Sequence, residues 1–240
     1  MAKFSATAAA ERQLATQLRK VARIIGGIVD SYTAGATIRD QVAMAKALEE
    51  YSKALGPWSE AVTGRILQSV SKNNERAWTQ ATKVMGTELR RFLTQTPIGA
   101  VARQLQQEQV ELIKSLPLEA GLRAQAIAQE AAMGSKRADV AAQEIARTGQ
   151  VTESRATLIA RTEIAKANSV MTQARAQGAG ITHYIWRTAE DGDVRDSHAQ
   201  MANRIFRFDD PPYVEGEGNH GPGEIYNCRC YAEPVIPDEN

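Results

Sequence analysis

Residues 174–188, "ARAQGAGITHYIWRT", hold the point at which the periodicity of the chain changes. Before it, Ala160, Ile164, Ala167, Met171 and Ala174 recur at steps of four and three, the spacing of one helix face. Gly178 is the expected stop, and the period changes after "GAG" at 178–180. From Thr182 to Thr188 the period is two, with Tyr184, Trp186 and Thr188 on one face and His183, Ile185 and Arg187 on the other, which predicts a strand. The expected fold class is α+β, a mostly α-helical N-terminal region followed by a small β-rich C-terminal domain.

Upstream, the helical pattern runs back to about Ala8. "AAERQLATQLRKVARIIGGIVDSY" places Leu14, Leu18, Val21, Ile25 and Val29 on one amphipathic stripe. Breaks are expected at Gly35, at Gly56 and Pro57, and at Pro97, Pro117, Gly134 and Gly149, because glycine and proline interrupt helices. Thr152 is the expected cap of a last helix over 152–177. No repeat with a period of about 20–50 residues is present, which argues against a solenoid.

Downstream the composition shifts. Residues 181–240 carry 5 Arg or Lys and 12 Asp or Glu, a balance of −7, whereas the first 180 residues carry +8. Seven of the 13 aromatic residues and five of the eight prolines fall in the last sixty positions. Strand-formers and turn-formers thus concentrate where the helical period ends. After the acidic turn "AEDGDVRD", "DSHAQMAN" is expected to form a short helix capped by Asp196 or Ser197, and "RIFRF" a second strand. Residues 209–224 read as a long acidic loop and "YNCRCYAEPVI" as a final strand. About sixty residues make little core alone, so this part is expected to lean on the preceding helix or on a staple.

Both cysteines and all three histidines lie in that tail. In a strand, Cys228 and Cys230 would share a face, with Arg229 opposite. Two thiolates with His198, and with His220 or Asp196, could make a tetrahedral site for one structural zinc. Equally, the thiols could be small buried apolar groups and His198 a hydrogen-bonded core residue. A disulfide across a single intervening residue would be strained. "DGDVRD" departs from a calcium loop, since Arg195 takes a ligand position. On the last helix, Arg161 and Asn168 flank one side of the small-residue stripe and Glu163 the other. They are either half-solvated boundary groups or hydrogen-bonding groups that dock the following segment.

Taken together, "ARTEIAKANS", "YIWRTAEDGDVRDSHAQMANRIFRF", "DDPP" and "NCRCYAEP" occur in an order that resembles the Mu F-like minor head protein family of tailed phages, also called the head morphogenesis family. The resemblance covers roughly residues 130–235. It implies a structural virion protein, not an enzyme, that associates with the portal during capsid assembly. Its implied partners are portal, capsid and scaffold proteins, with several copies in a ring-shaped assembly and non-specific contact with packaged or ejected double-stranded DNA. The implied place is the phage head interior, after synthesis in the host cytoplasm. Arg161, Glu163, Asn168, Trp186, Asp196, His198, Asn227, Cys228 and Cys230 stand at the family-pattern positions, with a structural and docking role implied. Residues 1–150 would then be a portal- or capsid-binding helical arm or bundle, and 151–240 the Mu F-like module.

A metal-dependent nuclease of HNH type is the competing reading. It would use His198, Asn227 and His220, with the cysteines on a structural zinc. The sequence departs from that pattern, because His198 follows an acidic turn and has no histidine beside it. No apolar run reaches the ~18 residues that cross a bilayer, and Glu11, Arg12 and Gln13 interrupt any leader-like block, so a soluble protein without membrane contact is expected.

Overall fold

A computed structural model describes residues 4–33, 38–82 and 98–236. The helices are α1 (Ala8–Thr33), α2 (Ile38–Ala81), α3 (Gly99–Ala132), α4 (Ala138–Ala146) and α5 (Thr148–Gly178). There follow β1 (His183–Arg187), α6 (Asp196–Ala199), β2 (Ile205–Arg207), β3 (Tyr213–Val214), β4 (Gly218–Asn219) and β5 (Tyr231–Pro234). The chain is α+β, helical first and antiparallel-stranded at the end. None of the described helices is long and apolar enough to cross a membrane.

Two compact units divide the chain, and their boundaries fall inside helices. The helical unit comprises Gln13–Gly64 and Gln107–Ala160. The strand-bearing unit comprises Met1–Arg12, Arg65–Gln106 and Arg161–Asn240. The division expected after residue 150 follows the family resemblance and is continuous in sequence, whereas the spatial units recruit three separate stretches into the strand-bearing part.

In the helical unit the stripe Leu14, Leu18, Val21, Ile25 and Val29 is fully buried. Met44, Leu48, Ser52, Leu55, Ser59 and Val62 do the same along α2, at helical steps. That stripe stays in phase through Gly56 and Pro57, so the expected break there is corrected: α2 is continuous. An interior proline costs about 3 kcal/mol, and packing along the stripe outweighs it. Ser59 Oγ also donates to the Gly56 carbonyl at 2.8 Å, serving a backbone group beside the interruption. The break expected at Pro117 is likewise absent, since α3 runs through it. Ser52 Oγ donates to the Lys114 carbonyl at 2.8 Å, where the proline thins the ladder.

The break expected at Gly149 falls two residues earlier, at Arg147 between α4 and α5, and Gly149 itself lies in the first turn of α5. A Cβ on Gly149 would lie 3.0 Å from Gly26 Cα, so glycine here allows α1 and α5 to touch backbone to backbone. Thr152 does not cap that helix, and its hydroxyl donates instead to the Thr148 carbonyl at 2.8 Å. The stop at Gly134 is present, with φ +72° just beyond the end of α3. The expected breaks at Gly35 and Pro97 lie outside the described residues.

The first strand starts where the opening stretch placed it, at His183. Gly180, at φ +74°, closes α5: its amide donates to the Gln177 carbonyl, and the Ile181 amide donates to that of Ala176 at 2.9 Å. β1 is the centre of an antiparallel sheet in the order β2-β1-β5, pairing Tyr184 with Phe206 and Trp186 with Ala232. Tyr184 and Trp186 face the core, with Phe4, Trp78, Phe208, Val214, Cys228 and Cys230 around them. Phe4 meets Trp78 edge to face at 5.0 Å, so the chain start closes this core.

Two expectations for the tail need correction. Residues 209–224 are not wholly irregular, because β3 and β4 pair as a small hairpin. The final strand begins only at Tyr231, which leaves both cysteines in the turn before it.

Candidate functional site

The tail gathers its rare side chains into one cluster. α6 presents His198, the β3–β4 hairpin presents Glu217 and His220, and the turn before β5 presents Cys228 and Cys230. The cysteines share an environment without a strand to hold them. His198 Nδ1 lies 3.5 Å from Cys228 Sγ and 3.4 Å from Cys230 Sγ. Both are free thiols, and each is buried along with both imidazoles.

The opposite edge of the same ring faces a carboxylate. His198 Nε2 is 2.7 Å from Glu217 Oε2, and His220 Nε2 is 3.2 Å from that same oxygen. Arg195 Nε approaches the other oxygen, Oε1, at 3.3 Å. His220 Nδ1 faces the Gly221 carbonyl at 2.9 Å. Two trios could therefore grip a cation, His198 with the thiols or His198 with Glu217 and His220.

Electrostatics join the members. The hydrogen bond with Cys230 lowers the Cys228 pKa, burial opposes it, and His198 adds to the lowering, bringing it to about 4. The same Cys228 contact, followed by burial, holds Cys230 above the ordinary thiol value. Burial resists a charge on His198, but Cys228 and Glu217 outweigh it and raise its pKa. Burial likewise works against Glu217, and His198, His220 and Arg195 carry it below the usual carboxylate range. A thiol of lowered pKa, an imidazole and a carboxylate thus alternate across a few ångströms.

Backbone detail aims the thiols. The amides of Gly223 and Cys230 each point at Cys228 Sγ from 3.4 Å. Gly223 has φ +84°, and a Cβ there would sit 2.9 Å from the Cys230 carbonyl. Trp186 closes the floor, its ring edge-on to His198 at 5.4 Å and tilted against His220 at 5.8 Å. A cavity of about 190 Å³ opens beside the trio, lined by Asp193, Arg195, Asn227 and Arg229 besides His198 and the cysteines.

The family-pattern positions on α5 have distinct partners. Arg161 Nη1 donates to Asn227 Oδ1 at 2.9 Å, tying α5 to the segment that follows, and its Nε donates to Glu11. Asn227 itself has φ +58°, and its amide donates to Thr162 Oγ1 at 3.0 Å. Asn168 is buried and serves the chain start instead, donating to the Phe4 carbonyl. Glu163 is also buried. Asp196 is exposed in the first turn of α6, outside both trios, and neither it nor Ser197 caps that helix. In "DGDVRD", Asp191 and Asp193 bind Arg229 at 2.6 and 3.2 Å, which fastens this turn to the cysteine turn.

Three groups escaped the sequence reading. Glu217 sits in a segment read as an acidic loop, and its only signal is a Glu-x-x-His spacing to His220. Asn74 and Arg175 lie 101 positions apart, with Arg175 Nη1 donating to Asn74 Oδ1 at 2.6 Å. Asn74 Nδ2 passes the contact on to Thr172 Oγ1 at 2.6 Å and Asn168 Oδ1 at 3.2 Å. No local pattern reveals such a pairing. Of the set His198, Asn227 and His220, His198 and Asn227 line one cavity, and the Asn227 side-chain oxygen accepts from Arg161.

Residues 123–233 match the family described as "Phage Mu protein F like protein". A protein of Haemophilus influenzae, described only as an uncharacterized protein, is 33% identical over 198 residues, covering 81% of this chain and 43% of that relative. The chain thus spans less than half of the relative's length. No solved structure matches the chain.

Proposed function

Since residues 123–233 match the Phage Mu F-like family, we propose that the protein is a minor head protein of a tailed phage, joining the portal during head assembly. The observation that carries this reading is the family match itself, which takes in His198, Glu217, His220, Cys228 and Cys230 together with the sheet that holds them. The chemistry of the cluster agrees with attachment more than turnover. Its thiols and imidazoles are buried, and each is engaged by a neighbouring side chain or carbonyl.

In this reading the helical stretches bind portal or inner-shell subunits in several copies around the ring, inside the head. The +8 balance of the first 180 residues supports contact with packaged DNA through its phosphates, weak and salt-sensitive because no dense basic patch is present. The acidic tail, at −7, faces protein or solvent.

The test is co-assembly. Tagged full-length protein, expressed with its phage's portal, shell and scaffold proteins, is expected to sediment with portal-containing procapsids and to be lost from those lacking portal. Full yields of procapsid with no copy bound would overturn the proposal. Cleavage of plasmid DNA by the purified chain with Mg²⁺, Mn²⁺ or Zn²⁺, abolished in His198→Ala, would replace it with the nuclease reading.

A further inference from the structure

We propose that His198, Cys228 and Cys230 hold one zinc ion through Nδ1 and the two sulfurs, with Glu217 as the carboxylate that orients the imidazole from behind. His220 is then a neighbour of that carboxylate and not a ligand. The proposal stands apart from the assembly role and would survive its failure.

Distances decide between the two trios. A tetrahedral zinc with bonds of about 2.3 Å to sulfur and about 2.0 Å to nitrogen sets its N···S edges near ~3.5 Å. The Nδ1 to sulfur distances are 3.5 and 3.4 Å, so both nitrogen–sulfur edges already match such a site, and all three atoms lie within 4.8 Å of one another. On the other edge of the ring, 2.7 Å from Nε2 to Oε2 is a charge-assisted hydrogen bond. It is too short to be the edge between two ligands of one tetrahedral ion, which for bonds of about 2.0 Å is roughly 3.3 Å.

One imidazole cannot use Nε2 both to bind metal and to donate to Glu217. A carboxylate accepting from the far nitrogen is the usual support of a metal-bound histidine, since it fixes the tautomer and raises the basicity of the ligating atom. The two amide groups on Cys228 Sγ stabilise a thiolate. Paired soft sulfurs with one nitrogen select zinc over magnesium or calcium. A cavity lined by Asp193 and Arg229 adjoins the trio and would leave the fourth position open to a solvent ligand.

The consequence is a staple. His198 comes from α6 and the cysteines from a turn about thirty residues later, so the ion closes a loop that contains the β3–β4 hairpin.

Full-length protein purified without chelator from zinc-supplemented cells is expected to carry one zinc per chain by elemental analysis. Exchange for Co²⁺ should give the near-ultraviolet sulfur-to-cobalt charge-transfer band together with the visible bands of a tetrahedral ion. Glu217→Gln is expected to weaken Zn²⁺ binding by about 10- to 100-fold, while His220→Gln leaves the stoichiometry and the cobalt spectrum unchanged. Wild-type protein that holds no zinc and stays spectrally silent with Co²⁺ would overturn the site. Cobalt bound without a thiolate band would place the ion on the Glu217 side and overturn the ligand assignment. Unchanged affinity in Glu217→Gln would remove the orienting role. Because the wild-type spectrum decides the first two outcomes, a cysteine variant that fails to fold does not blunt the test.

Discussion

Among its described residues the helical unit buries no aromatic ring. Its core is Leu, Ile, Val, Met and Ala, repeated along stripes such as Leu14 to Val29 and Met44 to Val62. The strand-bearing unit buries Phe4, Trp78, Tyr184, Trp186 and Phe208, and sets beside them a thiol pair, two imidazoles and a buried arginine. In the first, each side chain is one of many equivalents, so the loss of one methyl group is shared out. In the second, few residues carry the packing and each has a specific partner. Stability spread along stripes tolerates change; stability gathered at a knot does not.

The sharpest way to break that contrast is Trp186→Ala. The ring is fully buried against His198, His220 and Phe206, so its removal is expected to cost about 3–5 kcal/mol. Hydrogen exchange of the β1 amides should accelerate accordingly, and a single-methyl deletion in the helical unit, Ile113→Val, should cost only about 1 kcal/mol. Equal losses in the two would show that the knot is no more specialised than the stripes.

Next in size is Asn74→Ala. It strips the partner from the buried Arg175 guanidinium, whose pKa burial already pulls below its ordinary value. It also leaves Thr172 and Asn168 short of a donor. A cost of about 2–3 kcal/mol in chemical denaturation is expected. Arg175→Met in the same background should recover part of it, because the stranded charge is gone. If the double variant is no better than Asn74→Ala alone, the cost lies elsewhere.

Gly223→Ala tests the knot at its backbone. The positive φ and the contact with the Cys230 carbonyl predict a cost of about 2 kcal/mol and a weaker hold on Co²⁺, since the Gly223 amide points at Cys228. A variant with wild-type metal affinity would separate the backbone turn from the thiol geometry.

The same contrast explains what could be read in the sequence. Stripes are periodic, so Leu14, Leu18, Val21, Ile25 and Val29, and the alternation of Tyr184 and Trp186, follow from spacing, while α5 ends at the expected Gly178 and the positive-φ residue that closes it falls two residues later, at Gly180. The expected breaks at Pro57 and Pro117 failed for the same reason: a local signal was weighed without the packing that overrides it. At the site, cysteine and histidine are scarce enough to mark themselves. Glu217 does not, because a carboxylate in an acidic segment looks like its neighbours until the hairpin turns it onto His198. The pairing of Asn74 with Arg175 spans most of the chain and has no local trace.

The smallest effect lies in the helical unit, and its sign is opposite. Gln109 is 1% exposed on α3, and neither polar atom of its side chain finds a hydrogen-bond partner among the described residues. It occupies the stripe that continues through Ile113, Leu116, Ala120 and Ala124, where an apolar residue would serve. A buried amide without partners costs about 1–3 kcal/mol, and leucine nearly matches it in length, so Gln109→Leu is expected to raise stability by about 1 kcal/mol after repacking. Thermal or urea denaturation reads the shift. A stabilised variant that still joins procapsids would show the amide to be a tolerated flaw in a forgiving core. A stabilised variant that no longer joins them would show it to be a polar group kept for a partner, and stripes and knot would then differ less than their packing suggests.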